Sequence, residues 1–191
     1  MATLVMHPTA TAQWYELVSE AEATAQCALA EELESYLVFL LMRFANRPDL
    51  AGTPLALEYL HSVHATGRLQ QEQLKDVGDQ CLLLSGLFPR LAERKHVKIS
   101  YFVDLGRVAY QQLSTLLRNS AAPLYAHLSQ DFVPLMDVLQ VIGRGNGNTP
   151  MELLPACDLW FDTGSRLAYE TVRQAAPGAL PVCDSDTLAI H

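Results

Sequence analysis

Several things are missing from this chain. No stretch alternates apolar and polar residues for long enough to make a β-strand, and there is no internal repeat, so sheet-based and solenoid folds are excluded. Between Pro8 and Pro48 there is neither glycine nor proline, and nothing in that span forces a helix to stop. No apolar run approaches the ~20 residues of a membrane span. The opening MATLVMHPTATA carries no basic residue ahead of its short apolar part, as a secretory signal would. The expected compartment is therefore the cytoplasm, with no membrane partner. Cys27, Cys81, Cys157 and Cys183 are far apart and form no CxxC or other zinc-ligand spacing, so they read as reduced core thiols. Positive charge is also scarce, the first Lys or Arg being Arg43. With a net charge of −8 the whole-molecule field opposes nucleic acid, and none is expected as a partner.

What is present is apolar residue at helical spacing. Half of the 191 residues are hydrophobic and 18% are charged, enough for a core without disulfide or metal staples. Tyr36 to Met42, read as YLVFLLM, is apolar on every side of a helix. Leu33, Tyr36, Leu37, Leu40 and Phe44 share one face, and Val38, Met42 and Ala45 form a second. Such a helix belongs in the middle of a bundle, or between a core and a partner subunit.

The spacing Trp14, Val18, Ala21, Ala25, Leu29, Leu33, Tyr36, Leu40, Phe44 predicts a helix from about residue 10 to 45, weakest at Thr24 to Gln26. Thr53-Pro54 starts a shorter helix that ends before Gly67, with Leu57, Leu60 and Val63 inward and His61 and His64 at the apolar edge. Another follows from about Leu69 to Ser85. Ser100 caps a helix striped by Phe102, Leu105, Ala109, Leu113 and Leu116, whose interior Gly106 implies close approach of another backbone near Gly78. Two segments, Leu124 to Leu128 and Phe132 to Ile142, precede a loop at residues 143 to 148. Thr149-Pro150 opens a last helical region to about Ala175, with Pro155 and Gly164 as the points that divide it. The expected fold is all-α: one domain over residues 1–176, six to eight helices with a long, centrally buried N-terminal helix, and an extended or partly ordered tail at 177–191.

Chemistry-bearing patterns are few. Glu58-x-x-His61 and Glu93-x-x-His96 have the spacing of di-iron bundle ligands, but Arg94 and Lys95 flank the second pair with repelling charge, so both read as helix-surface residues. Arg90, Arg94, Lys95, His96 and Lys98 form the basic patch of the sequence and the candidate anion or acidic-partner site. GRGNGN at 143–148 has no preceding strand and no following Lys-Ser/Thr, so it is a connection and not a phosphate loop. No GxSxG marks a nucleophile, and no catalytic residue or cofactor is assigned.

VGDQCLLLSGLFP and SYFVDLGRVAY, within residues 77 to 110, resemble stretches of uncharacterised bacterial all-helical proteins, a likeness that implies helices and no activity. The functional expectation is a non-catalytic binding or regulatory protein, a homodimer acting through protein or ligand contacts. The alternative is a helix-bundle metal- or small-ligand-binding protein of di-iron or haem type, with an enzyme behind it.

Overall fold

Helix is the local solution almost everywhere in the computed structural model, which describes residues 9–46, 55–90, 97–145 and 151–175. Among them run nine helices and no strand: α1 (Ala10–Ala25), α2 (Glu31–Asn46), α3 (Leu55–His64), α4 (Gly67–Gly86), α5 (Ile99–Leu116), α6 (Ala122–Gln130), α7 (Phe132–Gly145), α8 (Leu153–Thr163) and α9 (Arg166–Ala175). The all-α expectation holds. By contacts the chain divides into two compact units, one up to Pro150 and one from Met151.

The helix expected over 10 to 45 is two helices. Thr9 caps α1 by accepting from the Ala12 N–H at 3.3 Å, and α1 ends where Gln26 turns left-handed at φ 53°. Cys27 N–H then reaches back to Glu22 O, closing the helix end. The break falls at the weakest part of the periodic pattern. After it, Glu31, Glu32 and Glu34 occupy the first turn of α2, where the positive end of the helix dipole favours them. Tyr15 donates to Ser35 Oγ at 2.8 Å, tying the two helices together.

In the first unit α4 packs against α3, α5 and α7, α1 lies on α7 and α2, and α6 packs on α5. The centre is the apolar second half of α4 with α7, whose Phe132, Leu135, Met136, Val138 and Leu139 are fully buried. Each such side chain contributes about 1.5–3 kcal/mol by leaving water. Helices approach closely where glycine stands. A Cβ on Gly106 would lie 2.4 Å from the Phe132 ring and 2.9 Å from Cys81 Cβ, and one on Gly86 would lie 2.4 Å from Leu139 Cβ. Gly106 is thus a point of close approach, but its nearest neighbours are the side chains of Phe132 and Cys81 and not the backbone expected near Gly78.

Several polar groups are hydrogen-bonded from one helix to the next. Arg107 Nε donates to Ser129 O at 3.1 Å and Ser129 Oγ to Arg107 O at 2.9 Å, joining α5 to α6. Gln140 donates to Ser85 O at 3.1 Å, joining α7 to α4.

Four local expectations are corrected. Leu57, Leu60 and Val63 of α3 do not face inward: they are 46%, 51% and 46% exposed, and Leu55 and Ser62 are buried instead. Small Ser62 lets α3 sit close to its neighbour, and its hydroxyl is satisfied by donating to Tyr59 O at 2.6 Å. Lys98, not Ser100, is the N-cap of α5, which begins at Ile99. Cys81 is buried, but Cys27 and Cys157 are only partly so. Gly143 and Gly145 continue α7 where a loop was expected from residue 143. Positions 146–148, the Thr53-Pro54 and Thr149-Pro150 start signals, Cys183 and the tail at 177–191 lie outside the described residues.

The second unit is the α8–α9 pair. Gly164, at φ 74°, adopts the left-handed backbone that ends α8, and Ser165 accepts from the Ala168 N–H at 3.1 Å to open α9. Trp160 packs on Tyr169 with ring centroids 5.2 Å apart.

Candidate functional site

Burying a carboxylate is costly unless donors surround it. Asp79, midway along α4, is 1% exposed. Its Oδ1 accepts from the hydroxyls of Tyr36 (α2) at 2.5 Å and Tyr110 (α5) at 2.7 Å, and its Oδ2 from Arg43 Nη2 at 2.6 Å. Three donors and no acceptor face these two oxygens, the arrangement an ionised carboxyl requires. Tyr125 of α6 completes the cluster, its ring 6.1 Å from Tyr36 and 6.0 Å from Tyr110 between centroids.

Local sequence explains how these groups meet. Arg43 lies seven residues beyond Tyr36, two turns along the same face of α2. Gly78 beside Asp79 lets the Tyr110 ring lie on the α4 backbone: a Cβ there would fall 2.5 Å from Tyr110 Cε1. Burial first, and then the Asp79 charge, push the Tyr36 and Tyr110 phenols well above their ordinary range, so both remain donors. Burial also raises the Asp79 carboxyl, opposed by the hydrogen bond from Tyr36 and the charge of Arg43. Burial works against the Arg43 charge, but Asp79 and then Asp76 outweigh it and hold the guanidinium above its usual value.

On the outer side of this cluster, between α2 and α4, a cleft of about 200 Å³ is lined by Tyr36, Phe39, Leu40, Arg43, Lys75 and Asp79. Arg43 is half-exposed on it and has Asp76 at 3.8 Å. The Lys75 ammonium stands 6.0 Å from the Tyr36 ring centroid, at the limit of a cation–π contact. Phe39 is 60% exposed, so the YLVFLLM helix is covered on most but not all of its circumference. Of the second face, Val38 is buried within this chain, Met42 is partly buried and Ala45 is exposed.

Of the candidate site residues singled out from sequence, none of those described lines this cleft. Glu58 accepts from Gln80 at 3.3 Å and burial raises its carboxyl, whereas His61 is exposed. Arg90 and Lys98 are exposed, and Glu93, Arg94, Lys95 and His96 lie outside the described residues. Among the described residues no three His, Cys, Asp or Glu side chains gather as metal ligands. Sequence reasoning missed the Asp79 cluster. One signal was available: Asp79 is followed at i+3 and i+4 by Leu82 and Leu83, so a lone acid continues an apolar stripe.

No helix among the described residues is long and apolar enough to cross a membrane. No protein family, curated protein or solved structure matches this chain.

Proposed function

We propose that this is a non-catalytic binding protein that acts through protein contacts as a homodimer. The observation that carries this reading is the outward face of α3, where Leu57, Leu60 and Val63 recur at i, i+3 and i+6, each about half exposed. Such a row forgoes burial that a facing helix would supply. The occupant is a second copy. In a chain of net charge −8, most surface repels its own copy, but the α3 row carries only His61 and His64 among its apolar side chains, and Glu58 is turned to Gln80. A neutral apolar face suits the self-complementary contact of a twofold dimer. The non-catalytic half of the reading rests on the Asp79 cluster, which is closed on itself: Tyr36, Tyr110 and Arg43 spend donors on one carboxylate, and none is left poised as a base or nucleophile.

Light scattering on the purified protein tests this. The parent chain is expected to weigh twice its monomer mass, and Leu60→Glu to weigh one monomer while keeping the parent's helical circular dichroism. A parent that stays monomeric at high concentration, or a Leu60→Glu protein that stays dimeric, removes the proposal.

A further inference from the structure

We propose that His61 and His64 of α3, together with the same pair from a second copy, form a site for one divalent metal ion of the kind imidazole prefers, zinc foremost. The site rests on the α3 homodimer and exists only within it. The two side chains are three positions apart, so they leave the same face of the helix with Cβ atoms about 5–6 Å from one another. Both are exposed, while Leu55 and Ser62 are the buried residues of α3. One chain offers this pair and no third ligand, because among the described residues no three His, Cys, Asp or Glu side chains gather. Twofold symmetry doubles the pair. An axis crossing α3 at the level between Ser62 and Val63 sets His61 of each copy opposite His64 of the other, and leaves the exposed Leu57 and Leu60 of both copies to flank the four imidazoles.

Two features call for a cation there. Leu57, Leu60 and Val63 make the rest of the contact apolar, so imidazole nitrogens enclosed in it lose water and need another partner. A metal ion supplies one to all four rings at once. Charge argues the same way, since two chains of net charge −8 repel one another and α3 carries no Lys or Arg to offset this. Burial above all raises the Glu58 carboxyl, and His61 is one of the groups that oppose the rise, so an acid lies within electrostatic reach of the imidazole. Its charge favours a bound cation.

Zinc ion is the probe, titrated calorimetrically into the full chain after treatment with EDTA, with the dimer's dissociation constant measured by sedimentation in EDTA and in zinc. One zinc should bind per two chains, at an affinity on the order of micromolar. Zinc should also tighten the dimer by at least about tenfold, because an ion held by both copies favours their association. His61→Ala and His64→Ala each remove two of the four ligands and should weaken zinc binding by at least about tenfold while keeping the parent's helical circular dichroism. His127→Ala, on α6 where His127 meets Glu32, should bind zinc as the parent does. The inference alone is overturned if the parent is dimeric in EDTA yet zinc binds without this stoichiometry, leaves the dimer no tighter, or is held equally well by the two α3 variants. A parent that is monomeric in both solutions overturns it together with the homodimer.

Discussion

Replacing Gly78 by alanine sets two effects of opposite sign against each other at the candidate site. On an exposed helix the change would stabilise by about 1 kcal/mol, because alanine loses less backbone freedom than glycine. Here the new methyl would lie 2.5, 2.7 and 2.9 Å from three atoms of the Tyr110 ring, closer than real Cβ atoms come. The ring has no free direction of retreat, being fully buried with Phe132 and Tyr125 each 6.0 Å away between centroids. If it stays, overpacking costs about 1–3 kcal/mol. If it moves, its hydroxyl leaves Asp79, and a buried hydrogen bond to a charged group is worth about 1.5–3 kcal/mol. The first route offsets the propensity gain or exceeds it and the second exceeds it, leaving a net loss of about 0–2 kcal/mol. At about 2–4 °C per kcal/mol in a chain of this size, the melting temperature should fall by up to about 8 °C. A double-mutant cycle isolates the cause. With Tyr110→Leu already in place there is no ring to displace, and Gly78→Ala should become stabilising by about 1 kcal/mol. Urea unfolding of the four proteins provides the measurement. An alanine variant more stable than the parent, or one whose effect is the same in both backgrounds, refutes the reasoning.

Gly106→Leu should destabilise by at least the ~1–3 kcal/mol of overpacking, despite leucine's better helix propensity, because Phe132 and Cys81 already occupy its space; a thermal melt at or above the parent value would contradict this. Asp79→Asn should change the pH dependence of stability. Since burial raises the folded-state pKa of Asp79, the folded protein holds that proton to higher pH than the unfolded chain. The contribution is fully present below the ordinary value of 3.8 and is lost as pH rises through the raised one. Urea midpoints of parent and variant should therefore differ by an amount that shifts against the parent as pH rises across that window, and a shift in the parent's favour would show the sign to be wrong.

The helices themselves were legible in the residues because helix formation is decided within a few positions along the chain. Absence of glycine and proline between Pro8 and Pro48, a positive-φ position at Gly164 and apolar steps of three and four mark elements without reference to anything distant. Even the interruption at Gln26 coincides with a local weakness of pattern. Gly106 was recognisable as a point of close approach for the same reason: an interior glycine is locally costly and needs an explanation. The neighbours that explain it, Phe132 and Cys81, were not recognisable.

Only tertiary packing decided which face of α3 is inward. Leu57, Leu60 and Val63 outweigh Leu55 and Ser62 in hydrophobicity, yet a helix settles where shapes fit, and a small residue with a satisfied hydroxyl permits the closer approach. The Asp79 cluster was decided the same way. Tyr36, Arg43, Asp79, Tyr110 and Tyr125 are spread over four helices and, taken singly, each is an ordinary polar residue on an amphipathic segment. What makes them a site is burial that removes water from one carboxylate and leaves those donors as its replacement, a condition that exists only once α2, α4, α5 and α6 have packed.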